Sequence, residues 1–160
     1  MNMENLTAKF SHQTRLTNSR GFYLRVTEDN VEGVEDENDK YTTLEIISVA
    51  DGGTAIRGEA SNRYIGMADD GKLATRKSLT EDCIFREHRS FNGYSVFKSS
   101  CHSGWYLALS KDGRAKPGPR TAPDQTAVQF FEANFDDHAS WLLGHSKPLV
   151  FKAQTFLKTD

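Results

Sequence analysis

Residues 105–131 read WYLALSKDGRAKPGPRTAPDQTAVQFF, and the reading of this stretch decides the fold. Along Trp105-Tyr106-Leu107-Ala108-Leu109 alternate side chains share a face, so a strand here sends Trp105, Leu107 and Leu109 into a core together. Lys111-Asp112-Gly113 then suits a tight turn, because glycine accepts the positive φ that such turns require. Beyond the turn, Arg114, Lys116 and Arg120 sit among Pro117, Gly118, Pro119 and Pro123, a composition that cannot extend a sheet and so displays charge. Ala127-Val128-Gln129-Phe130-Phe131 closes the stretch as a second strand.

The same phrase stands twice upstream. Phe22-Tyr23-Leu24-Arg25-Val26 precedes Glu28-Asp29-Asn30, and Arg63-Tyr64-Ile65-Gly66-Met67 precedes Asp69-Asp70-Gly71. Tyr23, Tyr64 and Tyr106 are thus 41 and 42 residues apart, the mark of a unit repeated three times. Between the copies lie Thr43 to Val49 with Ala55-Ile56-Arg57, and Cys83-Ile84-Phe85 with Tyr94 to Phe97. Each unit supplies about four short strands, so the chain is expected to be all-β, with twelve short strands in three repeats. Threefold repetition selects a β-trefoil over a sandwich, and three units are fewer than a propeller normally uses.

At 160 residues the chain is one domain, with no apolar run approaching the ~18 residues that span a bilayer. Its net charge of −2 hides two opposed blocks. Glu28 to Asp39 holds seven acids and no base, whereas Lys111 to Arg120 holds four cations and one acid. The acidic block reads as solvated surface, since its spacing lacks the pattern of a calcium loop. The basic block concentrates a field that attracts polyanions whatever the net charge. Cys83 and Cys101 are too few for a disulfide scaffold, and Cys83 reads as a small buried hydrophobe.

Residues 1–14 lack periodicity and are expected to be a flexible arm, with the trefoil domain over 15–133 and an irregular extension over 134–160. The extension carries Trp141-Leu142-Leu143 and Leu149-Val150-Phe151, apolar clusters expected to fold back or dock a partner. Met1 to Phe10 has no apolar h-region, so it is not a secretory signal peptide. A removed signal, another export route and residence inside the cell all stay open. Asn5-Leu6-Thr7 matches a glycosylation acceptor that matters only in the secretory pathway.

Asp39-Lys40-Tyr41-Thr42-Thr43-Leu44-Glu45, Ala55-Ile56-Arg57-Gly58, Asn62 to Met67 with Gly71-Lys72-Leu73, Leu79 to Glu87, and Trp105 to Leu109 with Gly118-Pro119-Arg120-Thr121 together resemble the fibroblast growth factors. The resemblance covers about residues 15–131. It implies a β-trefoil ligand that binds a receptor tyrosine kinase ectodomain together with heparan sulphate or heparin, outside the cell, with no cofactor. It assigns the glycan site to Lys111, Lys116, Arg120 and Gln125, to which the basic loop adds Arg114. Pro117 and Thr126 stand where many members carry cations, so the site is expected to be weakened. For the receptor surface it implies Glu87, Asn92, Tyr94 and Phe131, with Thr17 in place of a usual Tyr and Glu35 in place of a frequent Arg. The residues alone leave Tyr94 open as a core aromatic with a satisfied hydroxyl.

Two other readings are carried forward. One is an intracellular homologue that binds a protein partner, and the other a lectin-like trefoil for neutral sugars. An enzyme is the least expected class, because no nucleophile elbow, zinc motif or phosphate loop occurs and the five histidines are scattered. Nor do aromatics interleave with the cations as a single-strand nucleic-acid platform requires.

Overall fold

The three repeated phrases supply two layers of one core. Leu24, Ile65 and Leu107 are fully buried, as are Val26, Met67 and Leu109, and each triple takes one residue from each repeat. Leu16, Leu44, Ile46, Ile56, Phe85, Phe97 and Phe130 pack with them. Burial of each large side chain contributes about 1.5–3 kcal/mol, so these layers fix the register of every strand that supplies them.

The computed structural model describes residues 8–133. Among them are ten strands: β1 (Ala8–Thr17), β2 (Tyr23–Val26), β3 (Val31–Val34), β4 (Leu44–Val49), β5 (Thr54–Gly58), β6 (Arg63–Met67), β7 (Leu73–Arg76), β8 (Phe85–Arg89), β9 (Ser95–Ser99) and β10 (Phe131–Ala133). The other two of the expected twelve are extended stretches around Tyr106 to Leu109 and Arg114-Ala115, held by isolated bridges at Lys98↔Tyr106 and Leu109↔Ala115. Prolines 117, 119 and 123 follow closely and have no N–H to give a ladder, which explains the loss of regularity in the third repeat.

Six strands close a barrel. β1 pairs β4, β4 pairs β5, β5 meets β8 at Thr54↔Phe85, and β8 pairs β9. Ser95↔Phe130 joins β9 to the last strand, and Arg15↔Ala133, Leu16↔Glu132 and Thr17↔Phe131 join that strand back to β1. The hairpins β2–β3 and β6–β7, with the third formed by Tyr106 to Ala115, lie against one another. Gly33 N–H donates to Gly113 O at 2.6 Å, and Gly118 N–H to Gly71 O at 2.8 Å. Gly71 has φ +87, and a Cβ there collides with Pro119, so the close approach requires glycine. This is the β-trefoil arrangement.

Two expectations need adjustment. Trp105 is only half-buried, while Tyr106 and Ala108, on the other face, are covered by Val96, Ala127 and Val128, so the strand is enclosed on both sides. The first strand starts at Ala8, not near Arg15: its Phe10 to Gln13 side chains are exposed, so no apolar pattern marks it. What holds this segment is the backbone ladder to β4, with Ser11 Oγ donating to Glu45 at 2.7 Å and Gln13 Nε2 to Glu59 at 2.8 Å. The expected glycosylation at Asn5 and the docking of 134–160 lie outside the described residues.

Half-buried charges sit around the barrel in matched pairs. Arg57 meets Glu45 at 2.8 Å, and Arg76 meets Asp82 at 2.8 Å. Burial pushes the Asp82 carboxyl up, but hydrogen bonds from Arg76 and Thr80 outweigh it and hold the group below its ordinary value of 3.8. Cys83 is fully buried as expected, and that burial raises its thiol above its ordinary value.

Candidate functional site

The basic loop is built onto the strand that opened the sequence. Ser110 N–H donates to Arg114 O at 2.7 Å and Gly113 N–H to Ser110 O at 2.9 Å, with Gly113 at φ +88, which puts Lys111 at the exposed tip. Lys116 N–H then donates to Ala108 O at 2.9 Å, and a 3-10 turn over Gly118–Arg120 follows. The Thr121 hydroxyl fastens this turn: it donates to Gly118 O at 2.6 Å and accepts from Tyr106 N–H at 3.0 Å.

Three of the five expected glycan residues are tied together. Lys116 Nζ donates to Gln125 Oε1 at 3.1 Å, and Gln125 Nε2 donates to Arg120 O at 3.3 Å. Gln125 thus orients the ammonium and holds the turn that presents the Arg120 guanidinium to solvent. Such a rim offers positioned charge and exposed donors, the chemistry that suits an anionic chain. Arg114 stands apart, bridged through its backbone to Glu32 of β3, with its side chain 86% exposed and 3.5 Å from Asp112.

A second constellation lies where the barrel closes. Tyr94 and Phe131 meet edge to face, with ring centroids 6.1 Å apart. Both are half-buried, and Tyr94 also packs on the cluster of Val96, Tyr106 and Val128. Glu87 accepts from Ser95 Oγ at 2.7 Å, and Asn92 is exposed on the turn that ends with Ser90 N–H donating to Tyr94 O at 2.8 Å. Gly93, at φ +93, makes this the reversal that Asn92-Gly93 announces.

Beside these residues runs a polar network that the sequence does not announce. Arg89 lies 3.7 Å from Glu87 and 3.5 Å from Glu132, and Glu132 meets His12 Nε2 at 2.9 Å. Isolated charges on β1, β8 and β10 carry no local pattern, and only barrel closure brings them together. The acidic block is similarly occupied from within: Asp39 engages Arg25 at 2.8 Å and caps Tyr41 N–H, Asp36 caps Asn38 N–H, and Tyr23 O–H donates to Glu37 at 3.2 Å. Among the described residues no cluster of three metal-ligating side chains occurs, and no helix is long and apolar enough to cross a membrane.

The family model described as fibroblast growth factor matches residues 12–131. The chain belongs to the fibroblast growth factor family. It is 39% identical over 111 residues to fibroblast growth factor 2 of Gallus gallus, covering 69% of this chain and 70% of the relative. It is 38% identical to that of Bos taurus and 37% to that of Xenopus laevis, covering 69% of this chain and 72% of the relative in both cases. Within this fibroblast growth factor, Thr17 lies directly opposite Phe131 and spends its hydroxyl on Phe22 O at 3.0 Å. The Tyr94–Phe131 pair therefore receives no third ring from that position. Glu35, where a cation is frequent in the family, is exposed in the acidic block.

Proposed function

We propose that this growth factor acts outside the cell as the ligand of a receptor tyrosine kinase, binding and activating it with heparan sulphate as co-receptor. The observation that carries the reading is the Tyr94–Phe131 ring pair, set beside Glu87 and Asn92 on the seam of the barrel. Aromatic anchors flanked by polar groups are the usual energetic centre of a protein interface. The linked Lys116, Gln125 and Arg120 form the glycan contact, with Lys111 at its edge. Exposed ion pairs contribute only about 0–1 kcal/mol each, so the glycan assists assembly and the ring pair supplies most of the affinity. No side chain is assigned a catalytic role, and no cofactor is required.

Receptor phosphorylation in responsive cells tests the reading. It is expected to be lost in the Tyr94→Ala, Phe131→Ala double variant and kept in Lys77→Ala, an exposed residue remote from both constellations in sequence. Full signalling by the double variant sinks the proposal.

One observation favours a second reading, an intracellular homologue with a protein partner. Cys83 and Cys101 are both free thiols, and Cys101 is exposed. Exposed free thiols persist in reducing compartments. Recovery of the protein from medium with Cys101 unoxidised and receptor activation intact rules this reading out.

A further inference from the structure

Where the three hairpins meet, Val31, Lys72 and Arg114 hold equivalent places, 41 and 42 residues apart like the tyrosines. Glu32, Leu73 and Ala115, one residue on, repeat the pattern. All six line a single cavity of about 390 Å³, which Asn30 and Pro117 complete. The cavity is thus built from all three repeats and lies at the axis that relates them.

Its lining divides by chemistry. Val31 is 2% exposed, and with Leu73, Ala115 and Pro117 it makes an apolar floor. Lys72 and Arg114 add two positive charges. The Lys72 ammonium has no partner among the described residues, and the Arg114 guanidinium has only Asp112, at 3.5 Å. Glu32 is the one acid in the lining, and its carboxylate is already met by Arg25 at 3.0 Å. The site therefore combines an unpaired ammonium and a loosely paired, exposed guanidinium with an apolar surface and a single neutralised acid.

We propose that this axial cavity binds one six-membered ring bearing sulphate or phosphate esters. The ring face lies on Val31, Leu73 and Pro117, and the ester oxygens meet Lys72 and Arg114. A guanidinium and an ammonium on one rim suit tetrahedral oxyanions, the first by paired N–H donation and the second as a point charge. The volume lies at the small end of ligand cavities, which favours a single ring over a length of polymer. The inference goes beyond the co-receptor reading and does not depend on it, because Lys116, Arg120 and Gln125 are not needed to form the cavity.

Two probes separate the sources of such an ester: a fully sulphated heparin-derived disaccharide and inositol hexakisphosphate. Each is titrated into the isotope-labelled protein, with the Val31 and Leu73 methyl resonances as reporters and calorimetry as the measure of affinity. Saturable methyl shifts with at least one probe are expected, and the probe that binds more tightly names the source. Lys72→Gln with Arg114→Gln is expected to weaken the binding read at those methyls at least roughly tenfold, whereas Lys77→Gln leaves it within about twofold. All three residues are exposed, so both variants are expected to fold, and retained methyl dispersion checks this. No methyl shift with either probe overturns the proposal. So does equal weakening by both variants, which reports a diffuse field.

Discussion

Tyr94 and Phe131 stand at an interplanar angle of 70° in a T-shaped contact, one ring from the turn before β9 and the other from the strand that closes the barrel. Their coupling is local, since the edge of one ring meets the face of the other. A double-mutant cycle on Tyr94→Ala and Phe131→Ala is expected to give a coupling of about 0.5–1.5 kcal/mol in denaturant unfolding. Binding to receptor ectodomain measured by surface plasmon resonance is expected to fall at least roughly tenfold for each single variant. Near wild-type binding by both singles removes the pair from the interface.

The proposed glycan rim carries Thr126 where many members of the family carry a cation. Thr126 is exposed next to Gln125, which already orients the Lys116 ammonium. Thr126→Lys is expected to raise the salt concentration that elutes the protein from immobilised heparin, and Lys116→Ala with Arg120→Ala to lower it. Elution unchanged in both directions places the heparin contact elsewhere.

Acid sensitivity follows from Asp82. Its folded carboxyl sits below its ordinary value of 3.8, so the folded state binds the proton less readily than the unfolded chain. The stabilisation is therefore complete above that value and is lost as pH falls through the lower folded one. Asp82→Asn is expected to lower stability at pH 7 by about 1–2 kcal/mol and to flatten the decline below about pH 4. Urea midpoints measured from pH 7 down to pH 2 check both parts. An unaltered acid profile contradicts the assignment.

The polar start of β1 contributes through its backbone. A chain beginning at Thr14 loses the pairing of Ala8 to Gln13 with β4, together with the Ser11–Glu45 and Gln13–Glu59 hydrogen bonds. It is expected to unfold with at least about 2 kcal/mol less stability, read from the denaturant midpoint at constant m-value. A midpoint equal to that of the full chain shows the segment to be dispensable.

The fold was legible wherever a repeated residue type answers to the core. The 41- and 42-residue spacing of the tyrosines places Leu24, Ile65 and Leu107 in one register, because burial on a period of two leaves a trace in composition. Ile47 broke the alternation of β4 for a physical reason: it serves a second cluster with Val49, Ala55 and Ile84 behind the barrel wall. The early start of β1 leaves no mark in the sequence because an exposed strand held by backbone pairing needs no apolar side chain. The cationic loop was visible as composition, yet its internal order was not. Only the path of the chain shows that Gln125 reaches Lys116 and that Arg114 turns instead toward β3. The His12–Glu132–Arg89 network joins three strands far apart in sequence, and no local pattern encodes such a meeting.

The pairing of Thr17 with Phe131 also bears on how the molecule is made. A nascent chain leaving the ribosome carries its opening strand exposed along one side until residue 133 has cleared the exit, since the partner for that side is the last of the described strands. Completion of the barrel thus carries a high entropic barrier, and the early hairpins wait for it with an unsatisfied strand edge.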